Sequence, residues 1–132
     1  MVSLLKPEKE LQRGYKNSKR LSFVAQYDCM ACEMKEERQT TRTIVHHLAG
    51  IGGGKKASDL LTFAICEMHH NHDEGEIGIT LHKGIAKFEE NFKSQIEFIG
   101  LVNEMIFRDN NLKGQDLKNY ELVKNYIQQK LK

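Results

Sequence analysis

The spacing Cys29-x-x-Cys32 and Cys66-x-x-His69 constrains this chain more than any other feature. Each pair offers two ligand atoms from one tight turn, and 33 residues separate the two turns. Three thiolates and one imidazole complete a tetrahedral zinc site of the structural kind. This scheme uses all three cysteines of the chain, which no disulfide pairing achieves. The alternative is a redox CxxC beside an ordinary buried Cys66, and a redox or zinc-storage role would go with it. The chain holds nine Cys and His residues; eight fall between Cys29 and His72, and the ninth is His82.

Composition says why a metal would matter. A chain of 132 residues fits one domain. Only 39% of its residues are hydrophobic and none is Trp. That is lean for a core, and a closed zinc site adds folding energy directly. No apolar run is long enough to span a membrane, and the first residues are charged too early for a signal peptide. These features predict an intracellular, cytoplasmic protein with no membrane partner.

Net charge is +2, from 20 Lys+Arg against 18 Asp+Glu, and says little by itself. Its distribution says more. Both ends are basic and the stretch 67–99 is acidic. Lys16, Lys19 and Arg20 near the N-terminus are candidates to hold a DNA backbone, and solvated surface is the competing reading.

Periodicity predicts a mixed fold. A short helix is expected near Lys6 to Tyr15, and Leu21 to Tyr27 has strand composition. Arg42 to Leu48 and Leu60 to Ile65 read as strands, joined by the glycine loop 49–56. Residues 67–72 suit one or two helical turns, and 73–79 look like an inserted loop. From Lys83 the spacing becomes helical. Ser94 and Glu97 have capping-box spacing, and a helix 117–131 would bury Tyr120, Val123, Ile127 and Leu131. A hairpin followed by a helix would bring His46, His47 and His70 together in a ββα unit with a second, open metal position.

Cys29-x-x-Cys32, Val45-His46-His47-Leu48 and Cys66-x-x-His69-His70 together resemble the HNH (ββα-metal, His-Me finger) nucleases. The run from His46 to Asp59, with Leu81-His82 and Phe88-Glu89, is similar to the phage recombination enhancement (Ref) subfamily of RecA-dependent nucleases. The resemblance covers about residues 29–108. It implies His47 as general base, His46, His70 and His82 as ligands of a catalytic divalent ion (Mg2+, Mn2+, Ni2+ or Zn2+), and a structural zinc on Cys29, Cys32, Cys66 and His69. Asp59 matches an acidic position that either orients a histidine or touches the metal. DNA is the implied substrate, and a RecA-type recombinase filament the implied partner.

The chain also departs from the pattern. His70 and His82 stand twelve apart, across a stretch rich in Gly and acid, so His72 is an alternative ligand. The signature Asn position of HNH motifs holds another residue. Only 28 residues precede Cys29, against the long basic segment of Ref.

The expected fold class is α+β: a small zinc-stabilised ββα-metal core with a β-hairpin and flanking C-terminal helices. The expected organisation is a basic extension 1–28, a nuclease domain 29–108 and a C-terminal helix 109–132. Lys55 and Lys56 in the glycine loop, with Lys19 and Arg20, are the expected DNA contacts. The glycine loop is not a Walker A motif, because the GxxxxGK[ST] spacing fails. The expected function is metal-dependent DNA hydrolysis linked to recombination. The rival is a zinc-stabilised nucleic-acid-binding or recombination accessory protein that does not cleave. Oligomeric state is open.

Overall fold

Two short strands, β1 (Thr43–His47) and β2 (Thr62–Cys66), pair antiparallel, with Thr43 opposite Cys66, His46 opposite Phe63 and His47 opposite Thr62. The computed structural model describes residues 8–49, 56–71 and 85–132. Every residue of β2 is buried, whereas β1 is mostly half-buried. That matches sequence: Thr-Phe-Ala-Ile-Cys carries no charge, so both of its faces can be covered.

Helices cover the hairpin. They are α1 (Ser18–Ala25), α2 (Met30–Met34), α3 (Glu67–Asn71), α4 (Ile85–Asn91), α5 (Gln95–Asp109) and α6 (Gln115–Lys130), with a 3-10 turn at Lys9–Leu11. α3 follows β2 without a break, so β1, β2 and α3 form a ββα unit. α5 lays Phe98, Ile99, Val102 and Ile106 into the core, and Phe98 stacks on Phe63 of β2 with ring centroids 5.3 Å apart. Its start is a complete capping box: Ser94 accepts from the Glu97 backbone N–H, and the Glu97 side chain accepts from that of Ser94. α6 packs along α5, where Gly100 allows close approach: a Cβ there would stand 3.1 Å from Ile127 Cγ2. The fold is thus small and α+β, with a two-stranded hairpin and C-terminal helices.

Three sequence expectations are corrected. Residues 21–27 are not a strand; most of them belong to α1. The Asn17 side chain caps that helix by accepting from the Arg20 N–H, and the buried positions are Arg20 and Val24, four apart, which is helical periodicity. The helix expected near Lys6 to Tyr15 is, among the described residues, only the 3-10 turn. Leu131 is 56% exposed beyond the end of α6, while Tyr120, Val123 and Ile127 are buried as expected. Among the described residues, no helix is long and apolar enough to cross a membrane. The loop expected at 73–79 lies outside the described residues.

Candidate functional site

Cys29, Cys32, Cys66 and His69 converge in one buried cluster. Cys29 sits at the start of α2, where its sulfur accepts a hydrogen bond from the Cys32 backbone N–H (3.3 Å). Its own backbone N–H donates to Gln39 Oε1 at 2.7 Å, which anchors the turn. Cys66 ends β2 and His69 lies three residues on in α3, so the strand-to-helix junction sets the second pair.

The four ligand atoms all lie within 4.8 Å of one another. His69 Nδ1 is 3.6, 3.5 and 3.4 Å from the sulfurs of Cys29, Cys32 and Cys66, and the Cys32 and Cys66 sulfurs are 3.8 Å apart. A tetrahedral zinc with ordinary bond lengths has sulfur–nitrogen edges of about 3.6 Å and sulfur–sulfur edges of about 3.8 Å. The residues therefore fit a Cys3His metal site, and zinc suits that donor set.

Without a cation, the environment disfavours charge on two of the three cysteines. Burial pushes the Cys29 and Cys32 thiols up, and neighbouring thiols add to it. Cys66 moves down: burial opposes this, but hydrogen bonds from the His69 backbone N–H, Thr41 and the other thiols outweigh it. A bound cation supplies the positive charge that three buried thiolates require. On the far side of the imidazole, Glu37 Oε1 lies 3.6 Å from His69 Nε2. At that distance Glu37 is a charge contact and not a hydrogen bond, on the side of the ring where ligand histidines usually meet an outer partner. Sequence reasoning missed Glu37, because no spacing rule links it to a histidine 32 residues further along the chain.

The other described histidines fall into two further groups. His46 Nδ1 lies 3.1 Å from His70 Nε2, and His46 Nε2 lies 3.3 Å from Gln95 Oε1. His47 Nε2 lies 2.7 Å from Asp59 Oδ1, and Asp59 Oδ2 accepts the Asn17 backbone N–H at 2.7 Å. Neighbouring strand residues point to opposite faces, and these two histidines have different partners accordingly. Asp59 thus contacts His47 through one carboxylate oxygen and the Asn17 main chain through the other. His82, His72 and Lys55 lie outside the described residues.

A groove of about 760 Å³ opens beside His47, lined also by Tyr15, Lys16, Ser18, Lys56 and Asp59. The N-terminal stretch forms one wall and is tied down by main-chain bonds: Gly14 N–H to Lys56 O at 2.9 Å, and Asp59 N–H to Tyr15 O at 3.0 Å. Gly14 has φ +82°, a conformation that favours glycine. Of the expected DNA contacts, Lys56 is exposed on this groove. Lys19 pairs with Asp116 and lies over the Phe23 ring.

Arg20 is a correction. It is 4% exposed, and its Nη2 donates to Leu60 O at 3.4 Å. Burial lowers its pKa to about 10. A guanidinium inside the core is not placed to meet a DNA backbone.

Residues 2–107 match a family described as protein of unknown function (DUF968). The chain belongs to the DUF968 family. No curated protein and no solved structure matches it. The DUF968 match begins before the wall of the groove and includes the cysteine cluster, the hairpin and nearly all of α5. Every residue of the three clusters therefore lies within the DUF968 span, whereas α6 lies beyond it.

Proposed function

We infer that this DUF968 protein is a metal-dependent endonuclease of the HNH, ββα-metal type, hydrolysing DNA phosphodiester bonds. The observation that carries this reading is the His47–Asp59 pair at the end of β1, beside a groove that also presents Lys16 and Lys56. The resemblance of the Cys, His and Asp spacing to HNH nucleases supports it, as does the ββα order of β1, β2 and α3.

Asp59 as a carboxylate can only accept, so the hydrogen of the neutral His47 ring sits on Nε2. Nδ1 is then the basic nitrogen, able to take a proton from an attacking water. General-base help of this kind contributes about 10²- to 10⁴-fold. Asn17 fixes the other carboxylate oxygen and thereby the ring. Lys16 and Lys56 attract the phosphate backbone, with an affinity that falls as salt rises. A divalent ion would be held by His46 and His70, with His82 completing the set, and would supply Lewis-acid polarisation of the scissile phosphate. The substrate phosphate would lie in the groove beside His47 at the end of β1. Zinc on the cysteine cluster holds α2 and α3 together and has no part in the chemistry.

The test is plasmid nicking with Mg2+, Mn2+, Ni2+ or Zn2+, beside a His47→Ala variant. Cleavage by the wild type alone supports the enzyme. No cleavage under any ion, with or without recombinase-coated single strands, would overturn it. DNA binding without cleavage would then favour the accessory role.

A further inference from the structure

Gln95 is 2% exposed, and both ends of its amide are engaged. The Ala49 backbone N–H donates to its Oε1 at 2.9 Å, and its Nε2 donates to the Ala49 carbonyl at 3.2 Å. This pair of bonds leaves one orientation of the amide. A flipped amide would set NH2 against N–H and carbonyl against carbonyl. The backbone of Gln95 is also held, its N–H donating to Glu89 Oε2 at 2.8 Å. The oxygen so fixed lies 3.3 Å from His46 Nε2.

An amide oxygen only accepts, so a neutral His46 bonded to it carries its hydrogen on Nε2. The unprotonated nitrogen is then Nδ1, the atom 3.1 Å from His70 Nε2. Two imidazole nitrogens bound to one tetrahedral ion stand about 3.3 Å apart, so this spacing also suits a shared cation. Phe63 meets the His46 ring edge-on, with centroids 5.3 Å apart, which limits its rotation.

We propose that Gln95 is a positioning residue that locks His46 in the Nε2–H tautomer and so presents the Nδ1 lone pair toward His70. Gln95, the first residue of α5, thereby joins that helix to the ring of one histidine and to the main chain where β1 leaves the sheet. The consequence for metal binding rests on the nuclease reading above; the tautomer does not. Outer partners of ligand histidines typically change metal affinity by about 10- to 100-fold. Substitution of Gln95 should weaken a cation at His46 and His70 by about that factor and leave the cysteine cluster intact.

The experiment is a long-range proton–nitrogen correlation spectrum of the 15N-labelled full chain, near neutral pH, for wild type, Gln95→Met and Gln95→Glu. The wild type is expected to show His46 with a protonated-type Nε2 and a lone-pair-type Nδ1. Gln95→Met keeps volume and removes the acceptor, so the His46 shifts should move toward a tautomer mixture. Gln95→Glu keeps the acceptor and should keep the hydrogen on Nε2, at a cost in stability because its second oxygen meets the Ala49 carbonyl. Hydrogen on Nδ1 in the wild type, or unchanged His46 shifts in a folded Gln95→Met, would overturn the lock. The wild-type spectrum decides even where a variant fails to fold. A parallel Ni2+ titration separates the two readings. Wild-type protein with the expected tautomer but no broadening at His46 and His70 removes the metal-nuclease reading and leaves the lock standing. Broadening with the opposite tautomer removes only the lock.

Discussion

His69 and His70 are neighbours on α3, yet their rings enter different clusters: His69 Nδ1 lies 3.4 Å from Cys66 Sγ, and His70 Nε2 lies 3.1 Å from His46 Nδ1. A metal on the cysteine cluster therefore fixes the start of α3 for both. Removal of that metal by a strong chelator should lower the melting temperature by about 10 °C or more, since about 3 kcal/mol is enough at this chain length. The His46–His70 contact should loosen in parallel. Calorimetry with metal analysis checks this, and an unchanged transition after verified metal loss contradicts it.

Acid should destabilise the metal-free chain. Burial holds His69 below the usual histidine pKa, with the Glu37 charge working in the opposite direction. Unfolded His69 takes up a proton near pH 6.5, while the folded ring resists it. The unfolded state then binds more protons, so stability is present above that pH and declines as pH falls through it. Protons also compete with metal for the thiolates, which adds to the effect in the loaded protein. Urea midpoints measured from pH 7.5 down to 5.5 should fall steadily; a flat series would contradict the assignment.

Glu37 stands behind a ligand histidine at 3.6 Å. Glu37→Gln should speed metal loss to a chromophoric chelator by about 10- to 100-fold while leaving the fold intact. Equal transfer rates in wild type and variant would show that the carboxylate is a bystander.

Asp59→Asn should nearly abolish nicking while the domain remains folded. The amide can present NH2 to His47 Nε2 and so reverse which ring nitrogen holds the hydrogen. The expected loss approaches that of His47→Ala, about 10²- to 10⁴-fold. The two losses should not add in the double variant, because both residues serve one function. Full additivity would separate their roles.

Arg20 and Lys56 should behave oppositely. Arg20→Ala removes a buried stem and should cost about 2–4 kcal/mol of stability by loss of packing. Lys56→Ala should leave stability within about 0.5 kcal/mol and lower the salt slope of DNA binding by about one. Denaturant titration and binding across a salt series distinguish them.

The cysteine cluster was legible because ligand spacing within a turn is a local property. The hairpin and the α5 cap were legible for the same reason: alternation and Ser94-x-x-Glu97 operate over a few residues. α1 was misread because Leu21 to Tyr27 is rich in strand-forming residues, and its buried Arg20 breaks the apolar pattern a helix would show. Tertiary packing outweighed propensity there. Gln95 and Glu37 escaped notice for another reason. Gln95 meets His46 across 49 residues, and no spacing rule links a polar side chain to a partner that only the folded chain brings near.

Asp59 is held by a main-chain N–H, that of Asn17. Side-chain replacement at position 17 changes the helix cap but keeps that donor, and only proline removes it. An alanine scan of this chain would therefore register Asp59 and His47 while passing over what steadies them. Part of the site's specification lies in the path of the backbone, so a side-chain change at position 17 short of proline costs the α1 cap and keeps this hydrogen bond.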